Sequence, residues 1–319
     1  MSSEVRCKFD RNKVAVAAIV ATLFCCSTAS LAAQGPPRYF AGDERVALDS
    51  ALKDEDVQAA LLYVNEHKAE MTETLLSLSK SEAGTGAPRA RAELVARQMR
   101  DIGLKDVKLE DGTTPNVLGR IKGRSRGAIV FVSTMSEPPH VAQAEGGGSH
   151  GPRADGDRVS GPGTRGSAPT AALLAAAAAL REEGVRPARD LIFATLPPGA
   201  AGVEGIKRLY ASRGDKIVAV IEVQGDGASI ARAPESASTG AQQSSLVAAS
   251  VAIVKWLGME PKMKDASSAS TKVAFAGGTP AIVLGTDGDE TRGSADESAD
   301  LQTMVRSAKH IVLLAATLR

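Results

Sequence analysis

Apolar positions along this chain change period several times, and the changes mark out its elements. Between residues 44 and 79, Leu48, Leu52, Val57, Leu61, Val64, Met71, Leu75 and Leu78 recur at helical steps, which predicts helix. Residues 81–88 read as a loop, and residues 89–102 as a helix closed by Gly103. Strand-like runs follow at 107–109, 116–121 and 128–133. Residues 143–157 are Gly-rich and predict a loop, and the Ala-rich run 171–183 predicts a helix packed closely on a sheet. Residues 189–196 are mostly apolar and stop at Pro197 and Pro198, as a buried parallel strand does. A helix at 203–212, a strand at 217–223, a small-residue loop at 228–241 and a helix at 242–257 come next. A short helix or loop at 268–277, a strand at 280–284 and a helix at 299–318 complete the chain. Strands alternating with helices predict an α/β fold, with a mostly parallel twisted sheet and helices on both faces.

The N-terminus has another pattern. Arg6, Lys8, Arg11 and Lys13 precede an apolar run over residues 14–26, and Ser30-Leu31-Ala32 fits a small-x-small cleavage site. Residues 1–32 therefore read as a secretory signal peptide. The apolar run is shorter than the roughly 20 residues that span a bilayer, so no membrane span is expected after cleavage. Cys7, Cys25 and Cys26 all lie in this segment. The mature chain then has no disulfide, no thiolate ligand and no cysteine nucleophile, while Cys25 or Cys26 is a candidate lipid anchor. Residues 33–43 read as a linker and 44–319 as one domain of an exported bacterial protein, periplasmic or secreted.

Charge and composition remove some partners. Lys+Arg 38 against Asp+Glu 37, with aromatics at 3%, give no reason to expect nucleic acid. Four histidines are the first candidates for chemistry. His67 and His310 lie on helical stretches and read as surface or packing residues. His140 follows Pro138-Pro139, and His150 lies in the Gly-rich loop near Asp155 and Asp157. With Glu222 these form a candidate metal set, although a loop lacks the surrounding partners that orient metal ligands. No G-x-S-x-G elbow follows a strand, and residues 163–167 lack the spacing of a phosphate-binding loop.

Five stretches, in order, carry a resemblance. They are AIVFVSTMSEP (128–138), RVSGPGTRGSAPTAALLAA (158–176), RDLIFATLPPGAAGVEGIKRLY (189–210), VAVIEVQGDG (218–227) and SSASTKVAFAGGTPAIVLGTDGDETRGSADES (267–298). Together they resemble the dizinc exopeptidases, the family of tripeptide aminopeptidases, aminoacylases and acetylornithine deacetylases. The resemblance implies a three-layer α/β hydrolase-like domain with two zinc ions at the strand ends. It also implies a bridging carboxylate and a glutamate that acts as general base on metal-bound water.

Carried onto this chain, the family's residues meet other chemistry. Its first His and Asp fall on Thr134 and Ser136, and its bridging Asp on Gly166 or its neighbour Arg165. Its general base and the next ligand, Glu-Glu, fall on Pro197 and Pro198. A further ligand falls on Gln224, the Asp of S-T-D-A-N on Ser270, and the last His on Gly293, beside Arg292. Asp296 and Glu297 persist, and in the family they flank the site. Where the family inserts a lid and dimerisation domain, about 40 residues separate Gly225 from Ser267. The resemblance thus implies a degenerate, lidless and monomeric relative, catalytically inactive and without a cofactor. It would act as a binding or scaffold protein, with a peptide or carboxylate ligand held near Arg165, Gln224 and Arg292. The alternative is an active metal-dependent peptidase or amidohydrolase with zinc in a relocated site of His140, His150, Asp155, Asp157 and Glu222.

Overall fold

In the strand that begins at Ala128, Ile129 and Phe131 point to one side and Val130 and Val132 to the other, and all four are fully buried. A strand that is apolar on both faces needs a layer of helices on each. The computed structural model describes residues 43–82, 88–110, 115–135, 151–213, 217–225, 228–232, 240–265, 268–285 and 297–318. They form α1 (Glu44–Ala51), α2 (Glu55–Glu66), α3 (Lys68–Glu82), α4 (Pro88–Asp101), β1 (Lys105–Leu109), β2 (Val117–Ile121) and β3 (Ala128–Thr134). Then come β4 (Arg153–Asp155), β5 (Arg158–Ser160), α5 (Thr164–Glu182), β6 (Asp190–Leu196), α6 (Gly199–Arg213), β7 (Ile217–Val223) and β8 (Ser229–Arg232). The last are α7 (Gly240–Trp256), β9 (Lys262–Asp265), α8 (Ala269–Ala276), β10 (Ala281–Leu284), β11 (Ser298–Asp300) and α9 (Leu301–Thr317).

Eight strands form one sheet in the order β1-β2-β6-β3-β7-β10-β8-β9, and β11-β5-β4 form a small second sheet. The central strands β6, β3, β7 and β10 run parallel. The β1–β2, β2–β6 and β10–β8 pairs are antiparallel, so the sheet is mixed with a parallel centre. On one face Val130, Val132, Ile192 and Ala194 pack with Ile206 and Leu209 of α6 and Ala274 of α8. On the other, Ile129, Phe131 and Phe193 pack with the Ala-rich α5 and with α9. The Phe131 and Phe193 rings stack there, with centroids 5.8 Å apart. The expected three-layer α/β architecture is the one observed.

Several boundaries differ from the expectation. The helical stretch 44–79 is three helices, because Asp54 caps a new one by accepting from Asp56 N and Val57 N, and α2 ends at His67. α5 starts at Thr164, ahead of the Ala-rich run, after Gly163 with φ +77°. Gly166, Ser167 and Pro169 gave no helical signal in the sequence. Residues 153–155 and 229–232, read as loop, are strands too short to show an alternating pattern. Residues 298–300 are a strand, and α9 follows with Asp300 as its cap, accepting from Thr303 N at 2.7 Å.

Several buried polar groups are paired across elements. Thr170 Oγ1 donates to Ser133 Oγ at 3.0 Å, and Ser133 lies 3.2 Å from Thr195 Oγ1, joining α5, β3 and β6. His310 is fully buried, with Nε2 2.8 Å from Ser250 Oγ, which places it in the packing between α9 and α7. His67 is half-buried, and its ring stacks on that of Tyr63. Among the described residues no helix is long and apolar enough to cross a membrane.

Candidate functional site

β3 lies between β6 and β7, and the chain passes from β3 to β6 on one side before reaching β7 on the other. Such a reversal opens a crevice past the C-terminal ends of parallel strands. The residues at these ends are therefore the ones to examine for chemistry.

At the end of β3, Thr134 is half-buried. Met135 N donates at 2.7 Å to the carbonyl of Leu196, the last residue of β6, which carries the ladder one step past the end of β3. Pro197 comes next and is buried; Pro198 is half-buried. Gly199, at φ +60°, then turns the chain into α6. The first turn of α6 sits so close that a Cβ on Gly202 would lie 2.4 Å from Pro197 O. The strand end is thus packed by backbone, and neither proline side chain offers a proton or a ligand atom.

β7 ends differently. Glu222 is 2% exposed, the next-to-last residue of the run IVAVIEV. Gln224 Nε2 donates to its Oε1 at 2.5 Å, and Ser268 Oγ donates to its Oε2. Ser268 also caps α8, in a reciprocal capping box with Thr271. A buried carboxylate is costly unless hydrogen-bonded, and here two neutral donors satisfy both oxygens. Gln224, which the resemblance matches to a metal ligand, thus holds Glu222 in place. The signal in the sequence was the lone acid inside an apolar strand.

Glu297 serves the start of α5. It is 3% exposed, and its Oε2 accepts from Arg165 N at 3.2 Å in the first turn of this 19-residue helix. A carboxylate there satisfies an open N–H and meets the positive end of the helix dipole. Arg165 and Gln224 come together, with Arg158, Ser298, Asp300 and Ser307, around a cavity of about 380 Å³. Arg158 Nη2 donates to Ser298 Oγ at 2.7 Å, and Ser307 Oγ donates to Gly225 O at 2.7 Å. Gly166 is buried in α5, and Ser270 is buried in α8.

Ser136, His140, His150, Arg292, Gly293 and Asp296 lie outside the described residues. Of the relocated metal set, Asp155 is on β4, while Asp157 accepts from Gln302 Nε2 at 2.9 Å beside the start of α9. Among the described residues no three His, Cys, Asp or Glu groups come close enough to hold a metal ion. The family's two zinc ions need anionic or imidazole donors on these strand ends. Thr134, Gly166, Pro197, Pro198 and Gln224 do not supply them, so the described part of the site does not fit that pair.

No protein-family model matches the chain, and no curated protein matches it in sequence. Solved structures do match. The di-peptidase Dug1p from Saccharomyces cerevisiae superposes with a TM-score of 0.62 at 10% identity, over 82% of this chain and 98% of that one. Aminopeptidase PepT from Bacillus cereus gives 0.59 at 12% identity, over 79% and 98%. The dinuclear metal-binding M20-family peptidase YXEP from Bacillus subtilis gives 0.53 at 12% identity, over 79% and 98%. At such identities the likeness is one of fold, and the fold of this chain is the three-layer α/β fold of the M20-family peptidases.

Proposed function

We propose that this chain is an exported, metal-free relative of the M20-type peptidases that binds a peptide or carboxylate ligand and does not hydrolyse it. The observation that carries the reading is the end of β6. There Pro197 and Pro198 stand where the resemblance sets the general base and a metal ligand, and Pro197 is buried. Gln224 supports it, because its amide is engaged by Glu222. A carboxylate cluster with no metal repels itself, so a scaffold that has lost its metal gains from neutral residues at those positions.

The ligand site in this reading is the cavity beside Arg165 and Gln224, where the Arg165 guanidinium suits a carboxylate. The stretch between Gly225 and Ser268 contains β8, α7 and β9 among its described residues, which supports a lidless monomer. Export rests on residues 1–32, and their cleavage is checked by mass spectrometry of the protein recovered from the cells. The activity is checked by incubating the purified protein with di- and tripeptides and added zinc. The expected result is no release of amino acids. Turnover that a chelator abolishes would overturn the reading in favour of a relocated metal site.

A further inference from the structure

A second cavity, of about 280 Å³, lies among α2, α3, α4 and α5, away from the strand ends. Its floor is one face of α5, formed by Ala171, Leu174, Ala175 and Ala178, at the spacing of successive turns. The small alanines leave the floor recessed. One wall carries Tyr63 and His67, whose rings stack with centroids 3.7 Å apart and 9° between planes. His67 Nδ1 lies 3.0 Å from Tyr63 O, and since a carbonyl only accepts, this nitrogen carries the proton and the ring is held in place.

The charge of this cavity has one sign. Glu70, Asp101 and Glu182 line it, and among the described residues no Lys or Arg does. Among the described residues, none of the three carboxylates forms an ion pair. Gln98 lines it too, and its Oε1 is buried with no hydrogen-bond partner among the described residues. The lining therefore offers acceptors over an apolar floor, which is complementary to a donor-rich cation with an apolar body. A metal ion is the wrong cation, because these groups are not close enough together to ligate one. The volume falls just below the roughly 300–1,000 Å³ of ordinary small-molecule pockets, so the ligand is small.

We propose that this groove binds a small organic ammonium ion, with its hydrocarbon part on the alanine floor of α5 and its charge in the combined field of Glu70, Asp101 and Glu182, not in contact with all three at once. The field at the site agrees with this. Burial raises the Tyr63 phenol above its ordinary value, and the carboxylates of Glu182, Glu70 and Glu183 raise it further. The site is independent of the strand-end cavity, and its failure would leave the reading of that cavity untouched.

The test is calorimetric titration of the purified protein with n-hexylammonium chloride and, separately, n-hexanol. The ammonium ion is expected to bind about tenfold more tightly than the alcohol at low salt, with the preference shrinking as salt screens the charges. The double variant Glu70→Gln with Glu182→Gln alters exposed side chains without changing their shape, and is expected to erase the preference. Ala175→Leu fills the floor and is expected to weaken both ligands. Equal affinity for amine and alcohol, a preference that survives in the double variant, or binding unchanged by Ala175→Leu would each overturn the proposal.

Discussion

A Gly285→Ala variant is expected to be less stable than the natural chain by about 3 kcal/mol, the sum of a left-handed backbone cost and a steric one. Gly285 has φ +75°, in the region where a Cβ strains the chain. A Cβ there would also lie 2.3 Å from the carbonyl carbon of Gly225 and 2.4 Å from its Cα. These are backbone atoms and cannot rotate away. The parallel neighbours β7 and β10 end with these two glycines packed backbone to backbone, so the methyl group forces the strand ends apart. Gly156→Ala is the control. It also has positive φ, at +54°, but faces open space, so only the backbone cost of about 1 kcal/mol remains. Urea unfolding of the two variants separates the effects. Equal midpoints would mean that the strand ends do not approach as closely as described.

The second large effect concerns alkaline pH. Burial against the α6–α8 side of the sheet pushes the Tyr210 phenol up to about 12 from its ordinary 10. The folded protein thus keeps the proton at a pH where the unfolded chain releases it. The stability that this provides is fully present below pH 10 and is lost as the pH rises from 10 to 12. At about 1.4 kcal/mol for each pH unit between the two values, the loss reaches at most about 3 kcal/mol. Tyr210→Phe keeps the ring and removes the titrating group. Stability measured by denaturant across that range is expected to fall less steeply in the variant, and parallel curves would show that Tyr210 is not the group responsible.

The sequence made the layers of the fold legible because burial writes itself into periodicity. β3, β6 and β7 are apolar on both faces, so they read as uninterrupted runs, and their parallel pairing followed. What did not show were elements held by a few backbone bonds. β4, β5 and β11 have three residues each, too few to establish a period. The start of α5 was hidden because glycine, serine and proline disfavour helix locally, while tertiary packing buries Gly166, Ser167 and Pro169 all the same.

The candidate site was legible only in part, and for a different reason. Pro197 and Pro198 lie in the sequence next to a strand that announces them, so their position at a strand end could be read directly. The pairing of Glu222 with Ser268 spans 46 residues, and that of Arg165 with Glu297 spans 132, so no local pattern records them. Glu297 was expected to flank a metal site. Its observed contact, the open N–H at the start of α5, needs no metal at all. Gln224 was read as one more lost ligand, yet it is the residue that keeps the Glu222 carboxylate satisfied.

The measurement that tests the central claim most directly is zinc binding by the purified protein lacking residues 1–32, prepared without a metal-binding tag. Elemental analysis gives the zinc it carries, and calorimetry gives the affinity for added zinc. The metal-free reading predicts no stoichiometric zinc and no binding tighter than about 10 μM, or roughly −7 kcal/mol. One or two tightly held zinc ions per chain would contradict it, and would direct mutagenesis first to His140 and His150.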